Sequence, residues 1–158
     1  MTPEERLAKL GLELPTPAKP LGSYVPAVRA GNLVFTSGQV PLKDGELLAD
    51  GKVPTDISLD VAQAAAMQAV LNALAAVRQV LAAGDPPGSL ASVLRVVRLN
   101  VFVNSAAGFT DQAKVANGAS DLLVGVFGEA GRHTRCAVGA AELPLNAPVE
   151  LDLVVEVR

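Results

Sequence analysis

Two residues near the C-terminus are of types that could do chemistry together. Arg135 opens the segment RCAVGAAELPLNAPVELDLVVEVR, which runs to Arg158, and Glu150 lies beyond Leu143-Pro144 in its second half. A guanidinium can hold a carboxylate side-on through two parallel N–H donors. A partly buried carboxyl has its pKa raised toward neutrality and becomes a usable general acid or base. Thr134, Cys136, Ala137, Gly139 and Ala140 are all small and leave room beside Arg135 for a ligand. Each residue also has a plainer reading, and pattern alone favours it. Arg135 would form a salt bridge to Glu150 or Asp152 on the adjacent strand. Glu150 would be a solvated strand residue among the acidic neighbours Asp152 and Glu156. Ser37, in Phe35-Thr36-Ser37-Gly38-Gln39, stands where a strand ends at a glycine, a position that lines clefts or simply turns a chain.

The elements that must position these residues follow from periodicity. Val149, Leu151, Leu153, Val155 and Val157 alternate with Glu150, Asp152, Val154, Glu156 and Arg158, which predicts a half-buried strand. His133 to Ala141 predicts its predecessor, and Leu94 to Val103 a central strand. Tyr24 to Arg29 and Leu33 to Ser37 predict a hairpin around Gly31-Asn32. Residues 43 to 57 predict a surface loop with a turn near Asp44-Gly45. Met67, Val70, Leu71, Leu74, Val77 and Leu81 recur at helical spacing within a helix over 58–83, broken by Gly84-Asp85-Pro86-Pro87-Gly88. A second long helix spans 110–127, with Val115, Ala119, Leu122, Leu123 and Val126 on one face. Thr2, Pro3 and Glu5 predict a capping box for a short first helix ending at Gly11. This order predicts one α+β domain over residues 1–158: a mixed sheet with two long helices on one face. Residues 1–20 form an N-terminal extension to it.

Composition bounds the rest. Half of the 158 residues are hydrophobic but only 3% are aromatic, so the core must be Ala, Val and Leu. The mean hydropathy is positive. Charged or polar residues interrupt every apolar run, so no membrane span is expected. The excess apolar surface points to burial between subunits, and the uncovered sheet face to a partner copy. A net charge of −3, no Trp and a single Tyr argue against a nucleic-acid partner. One Cys excludes an internal disulfide and fits a reducing cytoplasm. The N-terminus does not read as a signal peptide. One His and one Cys give no zinc spacing. His133 reads as structural at a strand entrance, and Cys136 as a packing residue.

Three stretches carry a resemblance: GSYVPAVRAGNLVFTSGQVP (22–41), LRVVRLNVFVNSAAGF (94–109) and RCAVGAAELPLNAPVELDLVVEV (135–157). Their order, and the combination of TSGQ, VFV and an arginine followed by Leu-Pro and then Val-Glu, resembles the Rid family of reactive intermediate deaminases, also called YjgF or L-PSP proteins. The resemblance implies a chorismate-mutase-like fold and a homotrimer with intersubunit pockets and no metal or organic cofactor. It implies that Arg135 holds a substrate carboxylate and that Glu150 positions or activates water. Tyr24 would reach into the pocket from a neighbouring subunit, Ser37 and Gly38 would line the cleft, and Asn117 would stand at its edge. Ala137 replaces a family cysteine, so only a backbone contact is expected there, and Cys136 should face the other way. The stretch 117–131 and the N-terminal helix mark a longer branch. The implied activity is hydrolysis of small 2-imino acids to 2-oxo acids and ammonia. The alternatives are a non-catalytic trimer that binds small carboxylates and, third, an endoribonuclease.

Overall fold

The computed structural model describes residues 1–17 and 19–158. The chain runs α1 (Pro3–Lys9), β1 (Ala27–Ala30), β2 (Leu33–Thr36), β3 (Leu42–Lys43), β4 (Glu46–Leu47), α2 (Leu59–Ala82), β5 (Val93–Asn104), α3 (Gln112–Phe127), β6 (Thr134–Ala140) and β7 (Val149–Val157). Five strands form one sheet in the order β1-β2-β7-β5-β6, and β3 and β4 form a separate hairpin. β5 and β6 are parallel and the other pairs of the large sheet are antiparallel, so that sheet is mixed.

Strand β7 lies inside the sheet between β2 and β5, and its alternation is realised without a slip. Val149, Leu151, Leu153, Val155 and Val157 are buried, while Glu150, Asp152, Val154 and Glu156 are partly exposed. The buried row continues through Leu99, Val101 and Val103 of β5 and Val34 of β2. It packs on Val70, Leu74 and Val77 of α2 and on Leu123 of α3. The opposite face leaves Val28, Phe35, Phe102 and Val138 exposed.

Ser58 caps α2 by accepting from Val61 N at 3.2 Å. The predicted face of α2 is buried except for Met67, which is only partly so, and seven of the eight alanines from Ala62 to Ala76, all but Ala64, extend the burial around the helix. On length and composition alone, α2 is apolar enough to cross a membrane, contrary to the sequence expectation. Its burial in this domain accounts for that apolarity. α3 begins two residues later than predicted and crosses α2 closely at Gly118, where an added Cβ would overlap the Gln63 carbonyl oxygen. α1 has its capping box: Glu5 N donates to Thr2 Oγ1 and Thr2 N to Glu5 Oε2. It is also built into the domain. Leu7 is buried, Glu4 Oε1 accepts from Leu90 N at 2.8 Å, and Arg6 Nη1 donates to Val126 O at 3.2 Å.

Two predicted boundaries move. The first strand starts at Ala27 rather than Tyr24, because Pro26 has no N–H to give a ladder. The predicted loop 43–57 contains β4, which pairs with β3 around Asp44 and Gly45, both at positive φ.

The close α2–α3 crossing sets a test. Gly118→Ala should destabilise the fold by about 1–3 kcal/mol, because backbone must move apart. Gly125→Ala, where the new Cβ would make only an ordinary contact with Leu10, should be neutral or stabilise by up to about 1 kcal/mol. Denaturant unfolding of the two variants measures the difference, and equal effects would rule out this account of Gly118.

Candidate active site

Register decides which way each candidate faces. Arg135 pairs with Leu99, and Leu99 with Leu153, both of them fully buried against the helices. Arg135 therefore leaves β6 on the helix side. Its Nη1 donates to Asn117 Oδ1 at 2.8 Å and to Ser120 Oγ at 3.1 Å, both on α3. Asn117 and Ser120 are three residues apart and share a helix face. Ala137, two residues along β6, lies in the same row as Arg135 and packs against the core.

Glu150 pairs with Phe102, and Phe102 with Val138, which places it on the open face. Two strand spacings and three residues of rise put the two positions roughly 14 Å apart at the backbone. The salt bridge that the pattern allowed does not form, because β5 lies between β6 and β7. Asp152 instead accepts from Asn100 Nδ2 at 2.8 Å.

A cavity of about 260 Å³ borders Glu150, lined also by Tyr24, Gly38, Gln39, Leu21 and Leu145. Gly38 is required by space, since a Cβ there would overlap Glu150 Oε1. Gln39 is stitched to β7 beside Glu150: its N donates to Leu151 O at 2.7 Å and its O accepts from Leu151 N at 3.0 Å. Ser37 does not line this cavity. Its Oγ donates to Val25 O at 2.5 Å and its N to Pro26 O at 2.8 Å, which tethers the Tyr24 segment. Tyr24 thus belongs to the Glu150 cavity of its own chain. Asn72 Nδ2 holds the carbonyls of Val40 and Leu42 at 3.0 and 2.9 Å and fixes the cavity's floor. Burial, with a further push from Asp152, raises the Glu150 carboxyl above its ordinary value of 4.5. A larger hollow of about 570 Å³ lies between residues 8–15, Lys43 and Asp44, and none of the candidate residues lines it.

The candidates fall into two groups. Tyr24, Gly38 and Glu150 gather at one cavity, and Arg135, Asn117 and Ala137 at another surface. Cys136 pairs with Asn100 and faces away from Arg135, as expected. It is exposed in the single chain, so it does not pack there, because the helices cover the other face of the sheet. The sequence reading missed Ser120, whose signal was its position one turn after Asn117. It also missed Leu21 and Leu145, loop residues with no periodicity to betray them. Leu145 sits at φ 61, rare for a bulky side chain, and is held there by Asn146, whose Oδ1 accepts from Asn104 and whose carbonyl accepts from Gly51.

Residues 4–157 match the family described as YjgF/chorismate mutase-like, putative endoribonuclease. The chain belongs to this family. Its likeness to Protein TCP17 of Trypanosoma cruzi is 45% identity over 153 residues, 96% of this chain and 92% of the relative. A 2-iminobutanoate/2-iminopropanoate deaminase of Dermatophagoides farinae is 30% identical over 147 residues, 93% of this chain and 95% of the relative. A crystal structure of a putative endoribonuclease from Shewanella oneidensis superposes with a TM-score of 0.91 at 38% identity, covering 99% of this chain and all of the other. The YjgF/chorismate mutase-like match includes α1, in keeping with its packing into the core.

The raised Glu150 pKa sets a sign. The folded chain binds this proton more tightly than the unfolded chain, so the group's contribution to stability is present at acid pH and lost as pH rises from 4.5 through the raised folded value. Glu150→Gln should therefore gain stability relative to the parent as pH is raised. Denaturant midpoints on either side of that window measure it, and a variant that loses ground at neutral pH would refute the desolvation account. Gly38→Ala should leave the fold intact, since only the end of the Glu150 side chain must yield, yet displace the carboxylate. Thermal melts with carboxyl-carbon NMR of Glu150 test this.

Proposed function

We propose that the chain hydrolyses small 2-imino acids to 2-oxo acids and ammonia, at sites completed between copies of the chain in a homotrimer. The observation that carries the reading is the division of labour between two surfaces. One presents a guanidinium, the other a carboxyl group with a raised pKa in a small cavity, and the sheet keeps them apart within a single chain. A site that needs both takes Arg135 and Asn117 from one copy and Glu150, Gly38 and Tyr24 from the next. The apolar residues of the open sheet face suit contact with another copy.

Among the described residues, both side-chain hydrogen bonds of Arg135 leave from Nη1, so its Nη2–Nε edge is turned to take a carboxylate side-on. Glu150 then orients a water toward the imine carbon and accepts its proton as the C–O bond forms. The carboxyl gives that proton to nitrogen, forming a carbinolamine; it then takes the adduct's hydroxyl proton and passes it to the amine as the C–N bond breaks, so the carbonyl forms and ammonia leaves. The balance is imino acid plus water to 2-oxo acid plus ammonia. A raised pKa suits a group that must both take and give a proton near neutrality. Imines are already reactive, so positioning and one acid–base group supply enough. The relative described as an iminobutanoate/iminopropanoate deaminase supports this substrate class. Ribonuclease activity finds less support here, because Asp152 stands next to Glu150 on the open-face row and repels phosphates.

Arg135→Ala and Glu150→Gln should each lower turnover of 2-iminobutanoate, generated in situ, by about 100-fold or more. Refolding the two inactive variants together should recover about a quarter of the parental sites, because half of the interfaces are mixed and half of those pair an intact Arg135 with an intact Glu150. Failure of the mixture to recover activity would refute the composite site. Thermal stabilisation of the parent by 2-oxobutanoate without turnover would put a binding role in place of catalysis.

A further inference from the structure

His133, read from sequence as structural, ends a chain of hydrogen bonds that terminates on Arg135. Its Nδ1 lies 2.6 Å from Gly131 O, and its Nε2 lies 2.9 Å from Ser120 Oγ. Ser120 Oγ in turn accepts from Arg135 Nη1 at 3.1 Å. The polarity of the chain can be deduced. A carbonyl only accepts, so Nδ1 carries the proton. In the neutral imidazole Nε2 is then a bare lone pair, and the Ser120 hydroxyl must donate to it. That commits the serine's own lone pairs toward Arg135, which can only donate.

We infer that Ser120 and His133 are positioning residues for Arg135. The inference rests on the reading of Arg135 as the carboxylate clamp. A serine hydroxyl without a partner for its proton rotates and can turn that proton toward the guanidinium. With His133 in place it cannot. Nη1 is then held at two points, Asn117 Oδ1 and Ser120 Oγ, and the Nη2–Nε edge is fixed in one outward direction. An arginine side chain has much rotamer freedom to lose when it binds a ligand, and pinning it beforehand reduces that loss. The anchors are themselves rigid. Gly118 locks α3 onto α2 between Asn117 and Ser120. Gly131 is buried where a Cβ would overlap the Leu123 carbonyl, so the carbonyl that orients the imidazole stays in place. A His133–Ser120 pair serving only to fasten β6 to α3 would need no third member; here the third member is the guanidinium.

The test uses the whole protein and its single histidine, whose imidazole nitrogens give unambiguous NMR signals. Ser120→Ala and His133→Phe should each weaken binding of 2-oxobutanoate about tenfold, and Ser120→Thr, which keeps the hydroxyl, should restore it to within about twofold. Binding of the neutral 2-oxobutanamide should not change, and kcat for 2-iminobutanoate should hold while KM rises. In the ligand-free protein, rotation of the Arg135 Nη groups, followed by nitrogen NMR, should quicken in Ser120→Ala. Unchanged rotation in that variant overturns the inference, as does an equal loss of affinity for acid and amide. If the parent binds no 2-oxobutanoate but Nη rotation still quickens, the functional reading falls and the positioning role stands.

Discussion

A β-strand can turn only one of its faces into a given core, and β7 uses this constraint completely. The five apolar residues of one face, Val149, Leu151, Leu153, Val155 and Val157, are all buried on the helix side of the sheet, so Glu150 must emerge on the other side. The same alternation, carried through β5 into β6, sends Arg135 toward α3. Shifting β7 by one residue would bury Glu150 and Asp152 and expose the core row, a cost no packing elsewhere could offset. Stability and the placement of the chemical groups therefore have one origin.

The features around the two groups read as consequences. Gly38 is small because the Glu150 carboxylate lies over it, and Gln39 is paired with Leu151 so that this approach is held. The carboxyl's raised pKa follows from burial on one side of the sheet, with Asp152 adding to it, and no salt bridge to Glu150 is found among the described residues. Arg135 has the opposite surroundings. It lies near the helix surface, with neutral acceptors from α3 that orient the guanidinium without cancelling its charge. An ion pair would have quenched both groups. Keeping them on opposite faces leaves neither group to neutralise the other within one chain.

The N-terminal residues add to this plan. α1 contributes Leu7 to the core and satisfies the Leu90 backbone N–H through Glu4. The chain between α1 and β1 then returns over the Glu150 cavity, where Leu21 and Tyr24 line it beside Leu145. Leu21 and Tyr24, which follow α1 in the chain, thus help to bound this cavity.

Periodicity and punctuation alone determined the elements: the capped first helix, the alanine-rich second helix, and the strict alternation of the last strand are local properties that need only neighbouring residues. The candidate types were legible for the same reason, and the motif resemblance assigned them roles. Three things were decided only by the fold. Placing β5 between β6 and β7 is a choice of topology, which no local pattern encodes, and it removed the expected salt bridge. The open environment of Cys136 depends on which sheet face the helices cover. The link from Arg135 through Ser120 to His133 joins a strand, a helix and the turn between them. Sequence records which groups can donate and accept; only packing brings them within hydrogen-bond distance and so fixes which of them do.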